Sequence, residues 1–195
     1  MNKEYYTHVE EGAYKLARLV IRVCLFYSYL FAAITFDLVA LVFCKFWFGR
    51  LRPHFIDVCK PDVDDCDAGE YVVDYECTGR FRNRITNARM SFFSGHTSVT
   101  AATFIYLCIY TQNRLSGQIK NKFIVPLIYL LLIGSTLWIG YSRIAEFKHH
   151  FTDVLVGFLV GLLTAIFCAH RAGLKLIPNF LANWQKSDTE DSANV

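Results

Sequence analysis

The sequence predicts an all-α integral membrane protein, a bundle of about four transmembrane helices with one long polar loop between the first and second. Three observations predict it. Apolar residues make up 54% of the 195 residues, more than in most soluble proteins, and they are gathered into blocks. The blocks are apolar on every side, without the polar stripe that a helix in water must present, which argues against a soluble bundle. They are also of spanning length, since a helix crosses the hydrocarbon core in roughly 20 residues.

The chain opens on a polar stretch, Met1 to Gly12, lacking the short apolar run and small-residue cleavage site of a signal peptide. Leu19 to Cys44 is apolar except for Arg22 and Asp37 and predicts the first span. Asp37 is costly in lipid, so it is expected to face the bundle interior and bond a neighbouring helix. Residues 49–93 form the polar loop and hold most of the acids. Asp62, Asp64, Asp65, Asp67 and Glu70 cluster there without the alternating spacing of a calcium loop, so a solvated face is expected.

Thr97 to Tyr110 is short for a span, but the Ser91-Phe92-Phe93 lead-in adds apolar length and Gln112 and Arg114 can snorkel. A basic turn, Arg114 to Lys122, leads to the third block, Phe123 to Tyr141. The fourth is Phe151 to Ala169, where Gly157 and Gly161 stand four apart and mark a close packing face. Residues 173–195 read as a polar cytoplasmic tail, disordered from Ser187 to Val195. The whole chain, 1–195, reads as one membrane-embedded domain.

Of seven cysteines, Cys24, Cys44, Cys108 and Cys168 lie in or beside apolar blocks and read as packing residues. Cys59, Cys66 and Cys77 share the polar loop, where two can pair in an oxidising compartment, and the sequence leaves the pair open. Their spacing is unlike that of zinc ligands. A net charge of +3 with no basic run gives no case for nucleic acid.

Three stretches carry the chemistry: Lys45 through Arg50-Leu51-Arg52-Pro53, then Ser94-Gly95-His96, then Ser142-Arg143 with His149 and Asp153. No block separates the first two and two blocks separate the second from the third, so all three face one side of the membrane. Which side is not fixed by charge, because the 20 Lys and Arg residues divide ten and ten between the faces.

Arg52 and Arg143 can fork onto a phosphate, with Lys45 as a compact third cation. Ser94 and the backbone N–H groups around Gly95 stand before an apolar block, where a helix N-terminus would add neutral donors. His149 and Asp153 are four apart at a helix start and share a face, so the carboxylate can fix the imidazole tautomer and leave the other nitrogen as nucleophile. His96 then suits the general acid. Such a set fits hydrolysis of a membrane-borne phosphate ester and needs no cofactor. A metal held by His96, His149 and Asp153 is the weaker reading, because the surrounding cations favour an anion.

Together the stretches resemble the signature of the type 2 phosphatidate phosphatase superfamily, Lys-x6-Arg-Pro, Ser-Gly-His and Ser-Arg-x5-His-x3-Asp. Gly49 to Phe55, Tyr75 to His96 and Ser142 to Gly157 are similar to the animal lipid phosphate phosphatases in particular, and the similarity covers residues 14–172. The resemblance implies Lys45, Arg52, Arg143, Ser94 and Gly95 as phosphate ligands, His96 as acid, His149 as phosphohistidine nucleophile and Asp153 as its orienting partner. It implies metal-independent cleavage of phosphatidate, lysophosphatidate, ceramide 1-phosphate and sphingosine 1-phosphate. The site would be extracellular at the plasma membrane, or luminal in an endomembrane.

Phe93 stands where the family has proline, and the polar loop has no glycosylation sequon. The family usually has six spans where four are read here, so the chain reads either as a truncated product or isoform or as one for which partner chains, a second copy among them, supply the missing packing surface. Two other readings stay open: a sugar-phosphate phosphatase of the same superfamily, and a catalytically impaired relative that binds lipid phosphates or regulates a partner.

Overall fold

The computed structural model describes residues 3–63, 72, 74–114, 119 and 123–174, with side chains from residue 14 onward. Four long helices form the body: α1 (Lys3–Phe48), α4 (Gly95–Arg114), α5 (Ile124–Ala145) and α6 (Phe151–Arg171). Between α1 and α4 lie two short helices, α2 (Phe55–Cys59) and α3 (Arg82–Ala88), and a two-stranded antiparallel ribbon of β1 (Pro61–Asp62) and β2 (Glu76–Cys77).

Helix α1 starts well before the apolar block that predicts it and runs 46 residues, until Gly49 at φ +52° ends it in a left-handed turn that lacks a Cβ penalty. In α5, Pro126 falls in the first turn, where its missing N–H has no helical acceptor to lose. Helix α6 is started by Asp153, which accepts a hydrogen bond from the His150 backbone N–H at 3.1 Å.

Helix α4 occupies the middle, packed along α6 and flanked by α5 and α1. Three helical segments are long and apolar enough to cross a membrane: Tyr14–Phe48, Ile124–Ala145 and Phe151–Arg171. The fourth predicted span, α4, has 20 residues, about 30 Å of helix, but is less apolar than the others. Three of its polar residues, Thr97, Ser98 and Thr111, are buried inside the bundle, and Ser98 donates a hydrogen bond to the buried Asp37 carboxylate of α1. The apolar surface the bundle presents outward comes from its neighbours, through residues such as Phe31, Leu130 and Trp138.

The small-residue face of α6 meets α4 almost backbone to backbone. A Cβ at Gly161 would lie 2.2 Å from the Ser98 carbonyl oxygen, and one at Gly157 would lie 2.6 Å from that of Ser94. Gly161→Ala is therefore expected to push α6 off α4 and lower stability by roughly 2 kcal/mol or more. Gly134→Ala on α5 has open space around it and is expected to be neutral or mildly stabilising, so thermal unfolding of both variants in detergent separates packing from helix propensity.

The polar loop is more than a solvated connection. Phe55, Cys59, Ile85 and Ala88 are buried together in a small second core, closed by Val58, Tyr75 and Cys77. A disulfide joins Cys59 to Cys77, which decides the pairing that the sequence leaves open. Cys66, most of the acidic cluster (Asp64, Asp65, Asp67 and Glu70), most of the basic turn and the tail from residue 175 lie outside the described residues.

Candidate active site

The three clusters meet at one end of the bundle, and backbone hydrogen bonds tie them. Past the Gly49 turn, Arg52 N–H donates to the Ala88 carbonyl (2.8 Å), and Ser91 N–H donates to the Arg50 carbonyl (2.9 Å). These two bonds fix the first stretch against the approach to the second. Ser94 N–H donates to the Asp153 carbonyl (2.9 Å), fixing the second stretch against the third. His54 Nδ1 lies 2.6 Å from the Phe147 carbonyl, which closes the ring of contacts.

Asp153 is the hub. It is fully buried, and its Oδ1 accepts from Arg50 Nη1 at 2.7 Å while Oδ2 accepts from Ser91 Oγ at 2.6 Å. The same Arg50 nitrogen donates to Thr152 Oγ1 at 2.8 Å. His149 is 4% exposed, with Nδ1 at 3.8 Å from Asp153 Oδ2, too far for a direct hydrogen bond. Ser91 Oγ stands between them, 3.4 Å from His149 Nδ1. The serine hydroxyl, with its O–H donated in a hydrogen bond to the carboxylate, offers a lone pair to an Nδ1–H. That arrangement leaves Nε2 as the basic nitrogen. Behind His149, its own backbone N–H and that of Lys148 both donate to the Arg143 carbonyl (3.3 and 3.1 Å).

Burial first, then the charges of Arg52 and Lys45, push His149 from its ordinary value of 6.5 down to about 4, against the opposing pull of Asp153. The imidazole is neutral at physiological pH. A histidine whose folded-state pKa is depressed takes up its proton more readily when unfolded, so its contribution to stability is complete above about 6.5 and is lost as pH falls toward about 4. Denaturation midpoints in detergent are expected to drop across that window, and His149→Gln to flatten the drop.

The cations surround this imidazole and His96. Arg52 is half-buried, with Nη2 donating to Asn87 Oδ1 (2.9 Å) and Nε buried without a partner among the described residues. Burial pushes its guanidinium pKa down, while the Asp153 charge pushes it up. Lys45 lies in the last turn of α1 and within electrostatic reach of Arg52, His96 and His149. His96 is exposed in the first turn of α4 and also feels Arg143 and Lys148. Arg143 donates through Nη2 to Glu146 Oε1 (2.9 Å) and through Nε to Ser142 Oγ (3.2 Å), and Lys148 shares the same glutamate. The pair of cations holds the Glu146 carboxyl below its ordinary range, the Lys148 hydrogen bond being the main cause.

Ser94 is fully buried, its hydroxyl paired with Thr97 Oγ1 at 3.0 Å and its N–H spent on Asp153. Its N–H therefore serves the fold, while either hydroxyl of the Ser94–Thr97 pair can be the donor, and the open N–H groups here are those of the first turn of α4, starting at Gly95. Gly95 itself packs against Leu41, whose side chain a Cβ would meet at 2.5 Å. Among the described residues, no group of three or more His, Cys, Asp or Glu side chains stands together as metal ligands do.

Sequence reasoning missed Arg50, Ser91 and Glu146. Arg50 had a signal, since residues two apart in an extended segment share a face and Arg52 was already chosen. Ser91 had none, because a lone serine before two phenylalanines reads as lead-in.

Residues 23–175 match the PAP2 superfamily. A Caenorhabditis elegans phospholipid phosphatase homolog is 37% identical over 145 residues, covering 73% of this chain and 42% of the relative. Phospholipid phosphatase 2 of Bos taurus is 39% identical over 121 residues (62% and 42%), and phospholipid phosphatase 1 of Rattus norvegicus 35% over 124 residues (63% and 43%). The chain thus spans less than half the length of these curated relatives. No solved structure matches it.

Proposed function

Because the chain belongs to the PAP2 superfamily, we propose that it hydrolyses phosphate monoesters of membrane lipids through a phosphohistidine on His149. One observation carries this reading. A buried neutral imidazole, linked through Ser91 to a carboxylate, faces the same two cations, Lys45 and Arg52, that bear on the exposed imidazole of His96.

In the first step His149 Nε2 attacks phosphorus, the bond from phosphorus to the leaving oxygen breaks, and His96 gives that oxygen its proton. In the second, His96 takes a proton from water as the water oxygen attacks phosphorus, and the bond to Nε2 breaks to release phosphate. Charge on the equatorial oxygens is met by Lys45, by Arg52 through the partnerless Nε, by Arg143, and by the N–H groups from Gly95 onward. Each charge-assisted hydrogen bond is worth roughly 1.5–3 kcal/mol. Arg143 reaches the phosphate by exchanging Glu146 for it. Ser94 and Asp153 act from behind, Ser94 by holding the α4 start and Asp153 by orienting His149. No step needs a metal.

The substrates are lipids because the cup sits where helices with apolar outer faces end, so an acyl chain can stay in the bilayer while its phosphate enters. Phosphatidate, lysophosphatidate, ceramide 1-phosphate and sphingosine 1-phosphate share that build. The Cys59–Cys77 disulfide in the same loop suits an oxidising compartment, which supports an extracellular or luminal site.

The test is phosphate release from phosphatidate in mixed micelles with EDTA present, set against glucose 6-phosphate in solution. Release from the lipid alone is the expected result. Release from the sugar phosphate at equal efficiency, or release abolished by EDTA, would sink the reading.

A further inference from the structure

At the end of the bundle opposite the candidate active site, a cavity of ≈ 70 Å³ opens between α1, α4 and the residues that follow α6. Its walls include Arg22 and Tyr29 from α1 and Tyr106, Tyr110 and Arg114 from α4. Arg114 lies far along α4 from His96, about 27 Å at the helical rise, so the cavity is separate from the hydrolytic centre.

Three features there call for an anion. Arg22 and Arg114 line one small space, and among the described residues neither guanidinium has an ion-pair or hydrogen-bond partner. Described side chains at this end include Lys15, Arg18 and Arg171 but no carboxylate, so among the described residues no acid neutralises the two arginines. Tyr106 is 1% exposed and lines the cavity, and no described residue is hydrogen-bonded to its hydroxyl, which leaves that hydroxyl available to a ligand. Leu25 and Phe26 form an apolar wall beside these polar groups, and Leu25 faces outward on α1.

We propose that this cavity binds the phosphate of an anionic phospholipid from the leaflet opposite the candidate active site. Arg22 and Arg114 clamp the phosphate from two helices, the Tyr106 hydroxyl donates to it, and the acyl chains lie along the Leu25 side of α1. A forked guanidinium pair suits phosphate better than a lone interfacial anchor would. Free phosphate carries the same charge chemistry without the chains. The proposal stands apart from the hydrolysis reading, because a phosphodiester headgroup is not a monoester substrate.

The full chain would be equilibrated with micelles of phosphatidylcholine and phosphatidylglycerol, and retained lipid read by native mass spectrometry. Wild type is expected to retain phosphatidylglycerol preferentially, with retention falling about tenfold in Arg22→Gln and in Arg114→Gln, and less in Tyr106→Phe. Arg18→Gln, an exposed cation on the same helix outside the cavity, is expected to behave as wild type. Inorganic phosphate that displaces the lipid at millimolar concentration identifies the phosphate as the whole ligand, and failure to displace shows that the chains belong to it. Equal retention by wild type and both arginine variants overturns the proposal, as does an equal loss in Arg18→Gln.

Discussion

Replacing His149 with alanine is expected to abolish phosphate release, by roughly 10⁴-fold or more, while membrane insertion and folding persist. The reason lies in how the imidazole is held. Nearly all of it is buried, its backbone N–H is anchored on the Arg143 carbonyl, and Ser91 faces its Nδ1. No other described side chain occupies that position: His150 points its Nδ1 at Asp153 Oδ2 (3.4 Å), and His96 is exposed across the cup. On the proposed mechanism the variant lacks its nucleophile, so the cations are expected to bind a lipid phosphate with nothing to transfer it to. KM should therefore change much less than kcat. Acid-labile label from a ³²P-labelled lipid should appear on wild type and be absent from the variant. Label appearing on His149→Ala would remove this residue from the nucleophile's role.

Asp153→Asn is expected to lower kcat by about 10³–10⁴-fold and to destabilise the protein as well, so it is the second large effect. The carboxylate is fully buried and accepts from Arg50, Ser91 and the His150 backbone. An amide has one acceptor oxygen, so at least one of these donors must face an NH₂ group. If the Ser91 hydroxyl is the one turned away, it donates to His149 instead, and the imidazole is driven to the wrong tautomer. Breaking a buried ion pair costs about 3–5 kcal/mol, but Arg50 is 39% exposed and can turn to water, so the stability loss should fall below that range. Ser91→Ala provides the control: it keeps the Arg50 pair and removes only the bridge. Its kcat should fall with little loss of thermal stability, and Ser91→Thr should restore part of it. Equal melting losses in Asp153→Asn and Ser91→Ala, with unchanged kcat in the serine variant, would reduce the hub to a structural clasp.

Much of the arrangement was legible because it rests on composition and parity. Blocks of spanning length, a costly aspartate at Asp37 and two glycines four apart each have one inexpensive solution, and the structure adopts it in the Asp37–Ser98 bond and in the contacts of Gly157 and Gly161. The count of apolar spans was less secure. In α4 the polar residues are paid for by three surrounding helices, and hydropathy along a chain cannot register which neighbours will surround it.

The sequence by itself determined the membrane class, the end of the bundle where the clusters gather, and the residue types suited to a phosphate. These follow from local periodicity and from the side-chain chemistry of Lys45, Arg52, His96, Arg143, His149 and Asp153. Only the tertiary structure decided that Arg50 is the arginine paired with Asp153, that Ser91 stands between Asp153 and His149, that the Ser94 donors turn inward, and that Cys59 bonds Cys77. Each of those turns on differences of a few tenths of an ångström in the distances between segments as many as about a hundred residues apart, and such distances are set by packing of the whole bundle.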